Sequence, residues 1–262
     1  VGHDELAAFL KRLATERRLS PHTVEAYERD LRALLAFCER EEIASFAALD
    51  SYAVRRFAAE SHRKGLSARS VARRLSAVRT FLNFLVETGA VKSNAGVHVQ
   101  APKAPRRLPK TLDADQVASL LAISGDDPLT LRDRAILELF YSSGLRLAEL
   151  VGLDLDGVDT ADRTVRVLGK GSKTRIVPVG RHALAALRDW LAVRSELARP
   201  GETALFVSRR GVRISPRVVQ ARVNEWAKRR GAPTRVHPHM LRHSFATHVL
   251  ESSRNLRAVQ EM

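Results

Sequence analysis

Apolar residues recur at three- and four-residue spacing between Asp4 and Arg18, where Leu6, Ala7, Leu10 and Leu13 fall on one helical face. Ser20 followed by Pro21 is a cap and first-turn signal, so a second helix is predicted through Tyr27, Leu31, Leu34, Leu35 and Phe37 towards Cys38. A third covers about Tyr52 to Arg63. A fourth starts near Ser67 and carries Val71, Leu75, Val78, Phe81, Leu82 and Phe84, with Gly65 and Gly89 as punctuation. Four helices with short connections predict a small all-helical domain over residues 1–92. Its fourth helix is also basic, bearing Arg69, Arg73, Arg74 and Arg79.

The periodicity stops over residues 93–110, where Pro102, Pro105 and Pro109 alternate with Lys103, Arg106, Arg107 and Lys110. That composition predicts an extended basic linker whose side chains follow a phosphate backbone. A second domain is expected over 111–262. Asp113 caps a helix through Val117, Leu120 and Leu121, and a second helix runs through Leu131, Ala135, Ile136, Leu139 and Phe140 to Gly144. After a stretch from Val151 to Asp159, two short β runs, Thr164 to Leu168 and Thr174 to Val179, flank Gly169-Lys170-Gly171-Ser172-Lys173. They read as a hairpin with lysines near its tip. Helices are predicted again at His182 to Leu197, Pro216 to Arg229 and about His239 to Leu250, with extended segments at 205–207 and 212–214. The fold class is therefore mainly α, with a small antiparallel β-sheet in the second domain.

Charge changes the picture more than size does. The 262 residues carry 44 Lys and Arg against 29 Asp and Glu, a net +15, with 45% apolar residues. Residues 1–107 hold 19 basic and 12 acidic side chains and residues 108–262 hold 25 and 17, so the excess belongs to both domains rather than to a tail. Such a spread suits a protein that holds a long polyanion along much of its surface, with nucleic acid as the obvious candidate. Aromatic residues make up only 5% and form no β platform for stacked bases, which argues against RNA. The single Cys38 excludes an internal disulfide and a cysteine zinc framework. Neither a signal peptide nor a long apolar run is visible, so the expected location is the cytoplasm, with no membrane partner.

Chemistry concentrates at three places. His239-Met240-Leu241-Arg242 puts an imidazole and a guanidinium on one helix face. Arg146 follows the helix-ending Gly144, and Lys170 sits at the hairpin. Two Arg, one Lys and one His form a phosphoryl-transfer set that needs no metal. The Arg forks neutralise transition-state charge, Lys protonates a leaving oxygen, and His handles a second proton. A Ser244 nucleophile beside His243 is disfavoured because adjacent helical positions diverge. A metal at His237 and His239 lacks further ligands, and Asp154, Asp156 and Asp159 read as turn and capping residues.

Ser142-Ser143-Gly144-Leu145-Arg146-Leu147-Ala148-Glu149-Leu150, Gly169-Lys170-Gly171-Ser172-Lys173 and His237-Pro238-His239-Met240-Leu241-Arg242-His243-Ser244-Phe245-Ala246-Thr247-His248 occur in that order. The chain thereby resembles the tyrosine recombinases of the phage integrase family, in particular their bacterial Xer group. Leu250-Glu251-Ser252-Ser253 is closer to the XerC branch than to the XerD branch. The resemblance extends to Ser20-Pro21-His22-Thr23, Tyr27 and Asp30-Leu31 in the first domain.

The resemblance implies a SAM-like core-binding domain and a catalytic domain closing on DNA as a C-shaped clamp. By motif it makes Arg146 and Arg242 ligands of the scissile phosphate, Lys170 the general acid to the leaving 5′ oxygen, and His239 an aid to proton transfer at the nucleophile. Arg69, Arg73, Arg74, Lys103, Arg106, Arg107, Lys173 and Arg175 are the expected DNA contacts. The implied reaction is site-specific cleavage and religation through a 3′-phosphotyrosyl link, without metal, cofactor or ATP, in chromosome dimer resolution. Implied partners are a recombination site on duplex DNA, a XerD-like recombinase in a heterotetramer, and a DNA translocase. A phage or transposon integrase and a non-enzymatic DNA-binding protein are the alternatives. The sequence stops at Ala258-Val259-Gln260-Glu261-Met262, whereas the family continues through a Leu-Gly-His segment, the nucleophilic Tyr and a docking helix. Tyr27, Tyr52 and Tyr141 all precede the His239 motif, and none carries over as nucleophile. A truncated chain that binds DNA without cleaving it is the expectation.

Overall fold

The computed structural model describes residues 2–103, 111–169, 174–232 and 235–253. The chain divides into two compact units, Val1–Arg107 and Leu108–Met262. In the first, α1 (His3–Thr15), α2 (Pro21–Arg40), α3 (Ser51–Arg63) and α4 (Ala68–Glu87) form the helical bundle. Three of the four starts, those of α2, α3 and α4, are written locally. Ser20, Asp50 and Ser67 accept the amides of Thr23, Ala53 and Ser70, which satisfies donors that a helix N-terminus leaves open and contributes about 1 kcal/mol per cap. The helices meet through aromatic residues: the Phe9 ring lies 5.3 Å from that of Phe81, and Phe46 stands edge-on to Phe81 at 5.1 Å. Between α2 and α4 the buried Asp30 accepts from Arg73 and Arg74.

In the second unit, α5 (Ala114–Leu121) opens with a capping box between Asp113 and Gln116. The next helix, α6 (Pro128–Ser143), is the centre of the unit, with Leu131, Ala135, Ile136, Leu139 and Phe140 buried. It packs against α8 (Arg181–Val193), α9 (Pro216–Arg229) and α10 (Pro238–Ser253). Even its charged residues are enclosed. Asp133 accepts from Arg132, from Arg222 and from the Trp226 indole, which ties α6 to α9.

The sheet is antiparallel in the order β1 (Val158–Asp159), β2 (Thr164–Leu168), β3 (Thr174–Pro178). Val165 pairs with Val177 and Val167 with Arg175, so Val165, Val167 and Val177 face the core while Arg166 and Ile176 face outward. Three features differ from the sequence reading. The two-residue β1 is too short to show an alternation. A short helix, α7 (Leu147–Val151), follows Gly144 where no helix was predicted. The segments at 205–207 and 212–214 join through a single bridge, Val207 to Arg213. Asp154 and Asp159 do serve turns and loops: Asp159 accepts from Ala161 and Asp162, and Asp154 pairs with Arg213 and Thr203. Among the described residues no helix is long and apolar enough to cross a membrane.

Candidate active site

The site grows from the end of α6. Gly144 closes that helix at φ +56°, in the left-handed region where a side chain is strained, and a Cβ there would lie 2.6 Å from the Phe245 ring of α10. Glycine therefore allows the end of α6 and α10 to approach. One consequence is that the Arg242 guanidinium on α10 donates to the Gly144 carbonyl. Leu145 is buried and anchors the turn, and the next residue, Arg146, stands exposed at the N-cap of α7.

Glu149, three residues on, organises what surrounds it. Its carboxylate is buried, with the side chain only 4% exposed. It accepts the Arg146 backbone amide at 2.8 Å on Oε2 and Arg146 Nη1 at 2.9 Å on Oε1. From β3, Arg175 donates Nη1 to Oε1 at 2.7 Å and Nη2 to Oε2 at 3.1 Å. Burial works to raise the Glu149 pKa, but the donors from Arg175 and Arg146 outweigh it and hold the carboxyl below its ordinary range. Arg242 is held below the usual guanidinium range by burial and by the positive charges of Arg146 and Arg175, against the pull of Glu149. Three guanidiniums thus converge around one carboxylate. The excess of positive charge in a partly enclosed place is what a phosphodiester needs.

His239 lies in the first turn of α10, exposed, one turn before Arg242. Its ring centroid is 6.4 Å from that of His237. Burial and the neighbouring His239, His243 and Arg235 lower the His237 pKa, favouring the neutral imidazole. Arg146, Arg242 and Arg175 share a cluster, whereas Lys170 and Lys173 lie outside the described residues, as do Arg106 and Arg107. Ser244 is fully buried and accepts the Leu112 amide at 2.8 Å, a packing role. Tyr141 donates to or accepts from His248 Nδ1 at 3.0 Å, Tyr27 packs edge-on to Phe9, and Tyr52 is exposed on α3.

The basic positions of the first unit differ among themselves. Arg69 and Lys103 are exposed. Arg73 is bound to Asp30 while its side chain stays 47% exposed. Arg74 is turned inward, donating to Asp30 and Ser61 and lying over the Phe57 ring. Arg79 is spent on the carbonyls of Gly96 and Val99. Sequence reasoning gave Glu149 no role and gave Arg175 only an outward one. The signal for the first was present: an acidic residue three positions after a cap is half of a capping box.

Residues 110–262 match the Phage integrase family, and residues 6–89 match the phage integrase N-terminal SAM-like domain. The chain is 52% identical over 259 residues to tyrosine recombinase XerC of Pseudomonas fluorescens, covering 98% of this chain and 86% of that protein. It is 50% identical over 250 residues to tyrosine recombinase XerC of Haemophilus influenzae, covering 95% and 84%. In fold it is similar to the XerH site-specific recombinase bound to a palindromic difH substrate, with a TM-score of 0.75, 20% identity and 98% and 76% of the two chains covered.

Proposed function

The chain belongs to the phage integrase family as a tyrosine recombinase of the Xer type, and from that premise we propose that Arg146 and Arg242 hold the scissile phosphate of duplex DNA. The observation that carries the proposal is the gathering of Arg146, Arg175 and Arg242 around the single buried carboxylate of Glu149. The family reaction breaks the bond between phosphorus and the 5′ oxygen as a tyrosine oxygen bonds to phosphorus, so the link energy is kept for religation. In this reading Lys170 gives its proton to the leaving 5′ oxygen, on its motif alone. His239, exposed beside the arginines, manages the proton of the attacking hydroxyl. None of Tyr27, Tyr52 and Tyr141 is assigned the attack.

Duplex binding is supported by the DNA-bound state of the similar XerH structure and by the net charge of +15. Arg69, Arg73, Lys103, Arg106, Arg107 and Lys173 are proposed to contact the backbone, with Arg74 supporting from behind. The assembly proposed is a heterotetramer with a XerD-like recombinase, activated by a DNA translocase, in chromosome dimer resolution, with the XerC kinship as its support. The domain division proposed is a core-binding domain over 1–92, a linker over 93–110 and a catalytic domain over 111–262.

The test is incubation with a nicked duplex carrying a candidate site, read by gel shift and by a protein–DNA adduct that survives detergent. A shift that Arg146→Ala and Arg242→Ala each weaken supports the phosphate cradle. An adduct lost in Tyr141→Phe would overturn the assignment of the tyrosines, and no shift at all would overturn DNA binding.

A further inference from the structure

A carboxylate has two oxygens and about four acceptor positions. On Glu149 four donors fill them: the Arg146 amide and Arg175 Nη2 on Oε2, and Arg146 Nη1 and Arg175 Nη1 on Oε1. The two arginines differ in how they use their forks. Arg175 commits both terminal nitrogens to the carboxylate, and its side chain is 27% exposed. Among the described residues Arg146 commits only Nη1 of its guanidinium nitrogens, and its side chain is 52% exposed. An arginine beside a lone buried carboxylate closes a two-pronged pair with it. Here the second prong is already occupied.

From this division we infer that Arg175 is a positioning residue: it saturates Glu149 so that Arg146 is held by one prong and keeps Nε and Nη2 for the scissile phosphate. The inference rests on the reading of Arg146 as a phosphate ligand. It adds that Arg175, expected from sequence to touch DNA, acts on the reaction through Glu149. It also gives the hairpin a second purpose. Arg175 lies on β3, paired with Val167 of β2, so the strands that lead to Lys170 are tied through Glu149 to α7, the helix that Arg146 precedes as N-cap. With Arg175 on Glu149, Arg146 is free to face the phosphate. Without it, two acceptor positions open on a buried carboxylate, and Arg146, already bonded to Glu149, is placed to fill them.

The experiment compares affinities for two nicked duplexes containing the sequence that the wild-type protein protects from nuclease. One carries phosphate and the other a neutral methylphosphonate at the linkage whose neutralisation weakens wild-type binding most. The wild-type preference for phosphate is expected to be about tenfold or more, as for a charge-assisted contact. Arg146→Ala should lower it severalfold, with Arg242 holding the remainder. If Arg146→Ala keeps the full preference, the reading of the site falls and takes the inference with it.

If Arg146→Ala lowers the preference, Arg175→Ala should lower it nearly as far, because Arg146 turns onto Glu149. Adding Glu149→Gln to Arg175→Ala should restore part of the preference, since a neutral amide no longer captures a guanidinium. A contact that merely supports the fold predicts the reverse, with the double variant no better than Arg175→Ala. Retention of the full preference in Arg175→Ala, or failure of Glu149→Gln to restore any of it, overturns the inference. Should Arg175→Ala fail to fold, Arg175→Lys keeps the charge without the fork. That variant is expected to melt close to wild type and to show an intermediate preference, and a full preference would overturn the proposal.

Discussion

Asp133→Asn isolates one buried charge without changing the size of the side chain. Asp133 is 1% exposed and receives Arg132 Nη2 at 2.6 Å and the Trp226 indole nitrogen at 2.9 Å, with Arg222 Nε on the same carboxylate. Arg132 is itself only 3% exposed on its side chain, and its Nη1 donates to the Val207 carbonyl at 3.0 Å. The substitution leaves that guanidinium in the interior with no counter-charge, and removing one partner of a buried pair costs about 3–5 kcal/mol. At about 2–4 °C per kcal/mol for a unit of this size, the melting temperature should fall by about 6–20 °C. Both tryptophans, Trp190 and Trp226, lie in residues 108–262, so tryptophan fluorescence follows this unit alone. Asp156→Ala serves as the contrast, because Asp156 and its partner Arg166 are 80% and 56% exposed and such pairs contribute about 0–1 kcal/mol. A fall of under 2 °C in Asp133→Asn, or equal falls in the two variants, would refute the claim that this node holds α6 to α9.

Gly144→Ala forces a left-handed backbone on alanine and a Cβ into Phe245, so it should lower both stability and DNA affinity, whereas Gly201→Ala, strained but in open space, should cost less on melting. Acidification should weaken the second unit through Glu149. Its pKa is lowered on folding, so its contribution is full above the ordinary value of 4.5 and is lost as the pH drops through the lowered one, a slope that Glu149→Gln should flatten in pH-dependent melting. Cys38 is fully buried with its thiol pushed up to about 11, chiefly by burial, so a thiol reagent at pH 8 should label it only on unfolding; rapid labelling of the native chain would contradict the packing. DNA affinity should drop roughly 10³-fold between about 50 and 200 mM salt if six or so phosphates are neutralised, and a flat titration would count against backbone binding.

Much of this was legible because the signals are local. Ser20-Pro21, Asp113 and Ser67 mark helix starts through the donors they satisfy, and Gly144 marks a stop that only a residue tolerant of positive φ can make. The motifs carried Arg146, His239 and Arg242 because their spacing survives in the chain order. What stayed hidden is the division of labour among like residues. Arg69, Arg73, Arg74 and Arg79 all read as outward charges on α4, yet which ones turn inward depends on Asp30, far away on α2, and on carbonyls beyond the helix.

The same blindness applies at the site, with a larger consequence. Composition counts 36 arginines as one positive surface, but a guanidinium that has already spent its fork on a buried carboxylate is unlike one that has spent a single nitrogen. Arg175 and Arg146 are the same residue type within one cluster, and the order in which they occupy Glu149 decides which can reach a phosphate. That order is set by the register of β3 against β2 and by the position of α7 after Gly144, two tertiary facts that no periodicity encodes. A basic surface brings DNA near. The carboxylate determines which cation is left to meet it.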